Sequence, residues 1–254
     1  MTIESSGIRL PRSDATLSLD AIREDYRVAY LSRRASLVGR REVLAGNATF
    51  GVFGDGKELP GLAMARAFRA GDWRSGYYRD QTFLIASGML TLRGFFGQLY
   101  GATDIAADPA SGGRQMNNHF ASRLLDDAGR YRPQISTKNS SADVSCMAGW
   151  MPRLLGLAYT SKLVRQNPLL QQVMSEFSEN GNEVAFGSIG DASTSEGHFW
   201  ETLNAAAVLQ VPVMLTVYDD GFGISVPTEL QTVKASISDA RRLSTPVRQL
   251  ATIN

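Results

Sequence analysis

Hydrophobic positions along the chain follow distinct patterns, and each pattern predicts a different kind of element. From Leu17 to Ala45, apolar residues recur at steps of three and four, which predicts a helix capped by Ser18. The continuous apolar runs Val184–Ile189 and Val211–Val217 predict two buried strands. Phe199–Gln210 lies between them and has the composition of a helix. This order of elements predicts a right-handed unit of two parallel strands joined by a helix.

The other segments predict further helices and one long loop. Helices are expected over Leu62–Phe68, Gln81–Tyr100 and Met151–Leu163. Asp104–Arg132 is rich in Gly, Asn, Asp and Pro, which predicts a long loop, and long ordered loops are often functional. Together these elements predict an α/β fold with a doubly wound, mostly parallel sheet.

Composition narrows the class of protein. The 254 residues, of which 43% are hydrophobic, are enough for one substantial α/β domain. A net charge of +1 lacks the basic excess that nucleic-acid binding needs, and no apolar stretch is long enough to span a membrane. The single cysteine, Cys146, excludes an internal disulfide and fits a reducing compartment. We therefore expect a cytoplasmic protein without nucleic-acid or membrane partners.

Acidic residues follow both strands of the predicted parallel unit. Asp191 closes the first strand, and Asp220 follows the second strand 29 positions later (220 − 191). Because the carboxyl ends of neighbouring parallel strands meet at one edge, the two carboxylates are expected to converge. With a loop carbonyl at Phe222, they supply oxygen ligands of the kind that Mg²⁺ prefers. Small neighbours let the main chain approach a phosphate: Gly190, Ala192 and Ser193.

A second glycine motif, Gly54-Asp55-Gly56, resembles the first one but lacks a partner. Position 84, which lies 29 residues after Asp55 (84 − 55), is Leu84 in an apolar stretch. No second metal ligand therefore appears at the required spacing. We expect this motif to be a turn that leads into the following helix.

From Arg74 to about Thr232 the chain resembles the thiamine-diphosphate-binding alpha part of 2-oxo acid dehydrogenases. The motifs that carry the resemblance are Tyr77-Tyr78-Arg79-Asp80, Gly113-Arg114-Gln115-Met116 with His119, Gly190-Asp191-Ala192, Ser195-Glu196-Gly197, Glu201-Thr202-Leu203-Asn204 and Gly223-Ile224-Ser225-Val226-Pro227. The usual metal-binding Asn is replaced by Asp220, as in a bacterial branch with fused alpha and beta parts. The resemblance implies a thiamine-diphosphate-binding fold over residues 17–236, incomplete at its C-terminus, with a leader at 1–16 and an unmatched tail at 237–254.

The resemblance also implies roles for particular residues. Asp191, Asp220 and Phe222 would hold Mg²⁺. Met147 would help to keep the cofactor bent, and His119, near the mouth of the site, would hydrogen-bond the substrate or order a loop as the catalytic histidine. The cofactor contacts implied in this way are Tyr78, Arg79, Ser145, Met147, Gly190, Asp191, Ala192, Ser193, Asp220, Phe222 and Ile224. The other histidine, His198, is expected to face solvent.

The activity implied by the resemblance is oxidative decarboxylation of a 2-oxo acid with thiamine diphosphate and Mg²⁺. The acyl group would pass to a lipoyl-bearing acyltransferase component, and a beta subunit or fused beta region would complete an oligomeric enzyme. The chain contains no recognisable beta part and no histidine after His198, so we expect it to be inactive alone. Two alternatives remain open: a transketolase-like carbon-transfer enzyme, whose site would need more histidines, and a truncated, non-catalytic binding module.

Overall fold

A five-stranded parallel sheet forms the centre of the fold in the computed structural model, which describes residues 18–232 and 250–253. Its strands are β1 (Trp73–Ser75), β2 (Asn139–Ser140), β3 (Ala185–Gly190), β4 (Val213–Tyr218) and β7 (Leu250–Ile253). They lie in the order β2-β1-β3-β4-β7, and every neighbouring pair is parallel. A separate antiparallel hairpin consists of β5 (Phe222–Gly223) and β6 (Val226–Pro227). The predicted α/β class with a parallel sheet is confirmed.

Seven helices surround the sheet in the described part of the chain. They are α1 (Leu19–Leu44), α2 (Glu58–Ala67), α3 (Gln81–Ala86), α4 (Leu92–Leu99), α5 (Met151–Gln166), α6 (Pro168–Val173) and α7 (Gly197–Leu209). The predicted cap of the first helix is confirmed, because the Ser18 hydroxyl accepts a hydrogen bond from the Ala21 amide at 3.2 Å. None of the described helices is both long and apolar enough to cross a lipid bilayer.

The expected helix over Gln81–Tyr100 is wrong, because two helices occupy that stretch. α3 ends at Ala86, and the chain turns at Gly88, whose φ of 77° lies in the left-handed region that glycine tolerates. Thr91 then caps α4 by accepting a hydrogen bond from the Gly94 amide at 3.0 Å. Smaller corrections concern boundaries: the second helix begins at Glu58 rather than Leu62, and the second strand of the parallel unit begins at Val213 rather than Val211.

The predicted unit of β3, α7 and β4 is confirmed, and β3 is buried on both faces. Gly187 faces α5, where a side-chain Cβ would lie only 2.3 Å from Leu154. Phe186 faces the other way and makes an edge contact with Phe68, which follows α2, at a centroid distance of 5.0 Å. Helices therefore cover both faces of the strand, which explains why its sequence is continuously apolar rather than alternating.

The order of the strands fixes where a ligand can bind. After β1 the chain runs outward to β2 and then crosses back to β3 on the other side of β1. In doubly wound sheets, such a reversal opens a crevice at the carboxyl ends of the two strands that flank it. Here those ends are followed by Tyr77–Arg79 after β1 and by Asp191 after β3. The topology thus brings two of the segments selected from the sequence to one crevice.

A fully buried guanidinium connects the strands below this crevice. The Nε of Arg74 donates to Asp80 at 2.7 Å, and its two terminal nitrogens donate to Asp143 at 2.9 and 3.1 Å. Burial disfavours its charged form, but the two carboxylates outweigh burial and hold the pKa of Arg74 above its ordinary value. Burial raises the pKa of Asp143 to about 6, although Arg74 acts in the opposite direction.

Only part of the C-terminal end, and none of residues 1–17, belongs to the described residues. The leader expected at residues 1–16 lies outside the described residues. Within the expected tail at 237–254, the structure describes residues 250–253, which form β7 and pair in parallel with β4. The proposed domain boundaries therefore stay predictions.

We predict that Arg74→Met lowers the free energy of unfolding by about 3–5 kcal/mol, because it leaves two buried carboxylates without their cation. Arg27→Met is the matched control, since Arg27 forms an exposed pair with Glu24 and such pairs contribute little to stability. Urea denaturation of both variants gives the comparison. Equal, small losses in the two variants would contradict a central role for Arg74.

Candidate functional site

The carboxylate of Asp191 is held in place at the carboxyl end of β3. Its side chain is almost fully buried, and Oδ2 accepts hydrogen bonds from the Gly221 amide at 3.0 Å and from the Thr228 hydroxyl at 2.8 Å. The main-chain amide of Asp191 donates to the carbonyl of Tyr218, the last residue of β4. Asp191 therefore joins the ends of β3 and β4, as the spacing of the acidic residues predicts.

Asp220 lies at the same edge but has positively charged partners. Its Oδ2 is 3.3 Å from the Lys57 ammonium and 3.9 Å from the Arg79 guanidinium. The neighbouring Asp219 interacts with Asp191 instead, and partial burial together with the negative charge of Asp191 raises its pKa. The edge thus combines three carboxylates with two cations, contributed by segments far apart in the sequence.

The structure supports only part of the predicted metal set. The predicted ligands comprise two carboxylates and the Phe222 carbonyl, and Phe222 directs its amide toward Asp220 Oδ1 at 3.3 Å. Within residues 18–232 and 250–253, no three His, Cys, Asp or Glu side chains are grouped as a metal site. The assignment of Mg²⁺ ligands therefore stays a prediction.

The β5–β6 hairpin lies over the turn that follows Asp191. A Cβ on Gly223 would lie 2.8 Å from that of Ala192, so the hairpin and the turn are in close contact. Ser193 belongs to the short 3₁₀ segment Ala192–Ser195 in this turn. Ile224 occupies the hairpin tip, with its side chain fully exposed and a φ of 60° that is unfavourable for a β-branched residue. The hairpin is thus placed to cover a ligand at the crevice.

Tyr78 and Arg79 begin the segment after β1 and form a short 3₁₀ turn with Asp80. The Arg79 guanidinium lies 5.3 Å from the centre of the Tyr78 ring, a cation–π arrangement. Both residues are half-buried, and Arg79 also approaches Asp220. The two predicted cofactor contacts therefore lie at the crevice beside the acidic edge.

His119 and Ser145, both implied by the resemblance, are hydrogen-bonded to each other. The His119 Nε2 lies 2.9 Å from the Ser145 hydroxyl, and Nδ1 lies 3.2 Å from the Asn117 carbonyl. Because a carbonyl only accepts, Nδ1 carries a proton, and in the neutral ring Nε2 accepts from Ser145. Met147, two residues farther along, is more than one-third exposed and lies in a turn rather than a helix.

The main chain of His119 is fixed by two buried side chains. The Gln98 carboxamide donates to the His119 carbonyl at 2.6 Å and accepts from its amide at 3.1 Å. Asp143 accepts from the amide of Phe120 at 3.0 Å while it binds Arg74. His119 lies in a predicted loop, yet it is buried and its main chain is hydrogen-bonded to Gln98 through both its amide and its carbonyl. His198, by contrast, is exposed, as expected.

Sequence patterns missed three residues of this region. Lys57 follows Gly54-Asp55-Gly56, which forms a turn as predicted, but its ammonium reaches Asp220 from across the fold. Tyr77 was named only as part of its motif and given no role, and Gln98 escaped notice because a glutamine in an apolar segment carries no chemical signal by itself. The only hint was the position of Lys57 and Tyr77 beside glycine-containing turns.

A model of the family described as "Dehydrogenase E1 component" matches residues 44–247 of this chain. This match covers most of the chain, including the acidic edge around Asp191 and Asp220 and the His119–Ser145 pair. It confirms the resemblance that the motifs indicate.

Curated relatives agree with this family. The chain is 30% identical to "2-oxoisovalerate dehydrogenase subunit alpha" of Bacillus subtilis, over 77% of this chain and 50% of that protein. It is 27% identical to the mitochondrial protein of the same name in Caenorhabditis elegans, over 73% of this chain and 36% of that protein. "Pyruvate dehydrogenase E1 component subunit alpha" of Acholeplasma laidlawii is 24% identical, over 90% of this chain and 53% of that protein. The chain thus spans about half, or less, of the length of these relatives.

We predict that the neutral His119 ring carries its proton on Nδ1 and that Ser145→Ala shifts the resonance of Nε2. The chain has two histidines, so nitrogen-detected imidazole spectra contain two sets of signals, and those of exposed His198 are an internal control. The shift is expected because the substitution removes the hydroxyl that donates to Nε2. A ring protonated on Nε2 and bare at Nδ1 would contradict the hydrogen bond to Asn117.

Proposed function

The chain belongs to the dehydrogenase E1 component family, and we propose that it is the cofactor-binding alpha part of a thiamine-diphosphate-dependent 2-oxo acid dehydrogenase. Its reaction would be the oxidative decarboxylation of a 2-oxo acid, with transfer of the acyl group to a lipoyl-bearing partner. The family match supports this hypothesis over a transketolase-like enzyme. Because the chain spans only part of its relatives, activity, substrate and partners are proposals for the whole protein.

The convergence of opposite charges at one crevice carries this proposal. Asp191 and Asp220 follow adjacent parallel strands. The charged groups of Arg79 and Lys57 both lie within 4 Å of the Asp220 carboxylate. A diphosphate bound through a divalent cation needs both kinds of charge, since the cation requires oxygen ligands and the phosphates require donors. Partial burial and the negative charge of Asp191 raise the pKa of Asp219, and this concentration of carboxylates further favours a bound cation.

Several residues would hold the cofactor at this edge. Asp191, Asp220 and the Phe222 carbonyl would coordinate Mg²⁺, and phosphate oxygens would complete its shell. Arg79 and Tyr78 would contact the diphosphate, with Arg79 able to donate two parallel hydrogen bonds. The small residues Gly190, Ala192 and Ser193 would let main-chain amides approach the phosphates, and the exposed Ile224 and Met147 would pack against the cofactor.

Thiamine diphosphate would supply the carbanion that makes decarboxylation possible, and the protein residues would position and shield it. His119 would act on the substrate side. With Nδ1 fixed on the Asn117 carbonyl, its Nε2 is the nitrogen left to exchange a proton or a hydrogen bond. The Ser145 hydroxyl donates to that nitrogen now, so a hydroxyl of the substrate or another donor group would replace or share Ser145.

We predict that Asp220→Ala abolishes Mg²⁺-dependent binding of thiamine diphosphate to the purified chain, because the change removes one of few protein ligands to the metal. Isothermal titration calorimetry of the wild type and the variant gives the comparison. Asp55→Ala is the matched control, since Asp55 lies in the similar Gly54-Asp55-Gly56 turn but pairs with Arg40 and should not affect binding. Unchanged affinity in Asp220→Ala would refute the metal assignment.

We also predict that the 254-residue chain alone releases no carbon dioxide from pyruvate or branched-chain 2-oxo acids, even with thiamine diphosphate and Mg²⁺. In the family, the acid that serves the pyrimidine ring comes from a beta part, and losing a proton-transfer group costs about two to four orders of magnitude in rate. The assay compares the chain with and without a purified beta-type partner. Robust turnover by the chain alone would show that the catalytic groups are already complete here.

A further inference from the structure

We propose that the hydroxyl of Tyr77 is an additional ligand-binding group that donates a hydrogen bond to a diphosphate oxygen at the carboxyl end of β3. This inference rests on the proposed function and adds a residue to it. The motif that contains Tyr77 directs attention to Tyr78 and Arg79, whereas the structure distinguishes Tyr77 by the state of its hydroxyl.

The first observation is that the Tyr77 hydroxyl is buried and makes no hydrogen bond of normal geometry within the described residues, although it interacts with the Arg79 guanidinium. The side chain is 2% exposed, and Tyr77 Oη and Asn118 Oδ1 are the two buried side-chain polar atoms left unpaired in the described part of the chain. A buried hydroxyl without a partner lowers stability. The ring itself is well accommodated, because it stacks on Trp150 at a centroid distance of 5.0 Å and an interplanar angle of 15°. A phenylalanine would pack there equally well without the unpaired oxygen.

Tyr218 shows that this fold can satisfy a buried tyrosine. Its side chain is as buried as that of Tyr77, and its ring lies only 6.2 Å from the Tyr77 ring. Yet the Tyr218 hydroxyl lies 3.2 Å from Asp80 Oδ1 and 3.4 Å from the Met64 sulfur. The unpaired state of Tyr77 is therefore specific to its position.

The second observation is where the Tyr77 hydroxyl lies. A Cβ added to Gly190 would lie 3.2 Å from it, so the hydroxyl faces the last residue of β3, immediately before Asp191. Glycine leaves a gap at this point that any side chain would fill. Gly190 is the last residue of β3, which with β1 flanks the crevice where the sheet topology favours a ligand.

The chemistry of the hydroxyl selects an anionic oxygen as its partner. Burial raises the pKa of Tyr77 well above its ordinary value, so the group stays protonated and remains a donor. Phosphate oxygens are strong acceptors, and hydrogen bonds to charged groups are stronger than those between neutral groups. With Arg79 two residues away and Asp191 next to Gly190, the diphosphate of the proposed cofactor is the oxygen source that fits this place.

The test compares three forms of the full chain: wild type, Tyr77→Phe and Tyr218→Phe. Each is titrated calorimetrically with Mg²⁺ and thiamine diphosphate, and separately with Mg²⁺ and inorganic diphosphate, which engages the phosphate end alone. Thermal unfolding without ligand is measured for each form. The second variant is the matched control, because it removes a hydroxyl that already has protein partners.

Tyr77→Phe is expected to weaken binding of both diphosphates about tenfold, as for the loss of one hydrogen bond to a charged acceptor. Its melting temperature without ligand should equal or exceed that of the wild type, since the hydroxyl makes no well-formed hydrogen bond within the described residues. Tyr218→Phe should show the reverse pattern, with a lower melting temperature and nearly unchanged affinity. The opposite shifts separate a ligand contact from a structural one.

Two results would overturn the inference while the proposed function stands. One is wild-type affinity for both diphosphates in Tyr77→Phe. The other is a melting temperature of Tyr77→Phe that falls as far as that of Tyr218→Phe, which would show that the hydroxyl is paired within the protein. If the wild type binds neither diphosphate with Mg²⁺, the proposed function itself fails.

Discussion

The buried guanidinium of Arg74 is the interaction on which the rest of the structure depends. It lies in β1, between β2 and β3, and binds two carboxylates, those of Asp80, next to Arg79, and Asp143, two residues before Ser145. Asp80 in turn accepts hydrogen bonds from Ser188 in β3 and from Tyr218 in β4. One cation thereby fixes the ends of three strands relative to one another. Because each partner is also buried, none can move without leaving a charge unpaired.

The hydrogen bonds of Arg74 also connect the acidic edge around Asp191 and Asp220 with the His119–Ser145 pair. Arg74 binds Asp80, which follows Arg79 of the acidic edge, and Asp143, which lies two residues before Ser145 of the His119–Ser145 pair. A second connection runs through the stacked rings of Tyr77 and Trp150. The negative charge of Asp220 is offset in the same way, since the Lys57 ammonium lies 3.3 Å away. Rigid positioning of this kind is what a site for a large cofactor requires.

Local sequence was sufficient for those parts of the fold that local interactions determine. The apolar runs of β3 and β4 and the helix between them are close in the chain, so their pattern alone predicts the parallel unit. The break between α3 and α4 was missed, because both halves are apolar and one glycine in a helical pattern is a weak signal. Lys57, Gln98 and the burial of His119 could not be predicted. Their partners lie tens to more than a hundred residues away, and no periodicity records such contacts.

The order of the strands also determines when these pieces can come together during folding. β3 and β4 are consecutive in the chain and can pair after closing one short crossover, whereas β1 must wait for β3, whose first residue pairs with Trp73 across more than a hundred positions. Closing longer loops costs more entropy and slows the formation of the contacts they bring together. The acidic edge should therefore assemble early, as a local product of one crossover. The crevice beside this edge becomes complete only when β1 docks against β3, so the site forms late in the folding of each newly made chain.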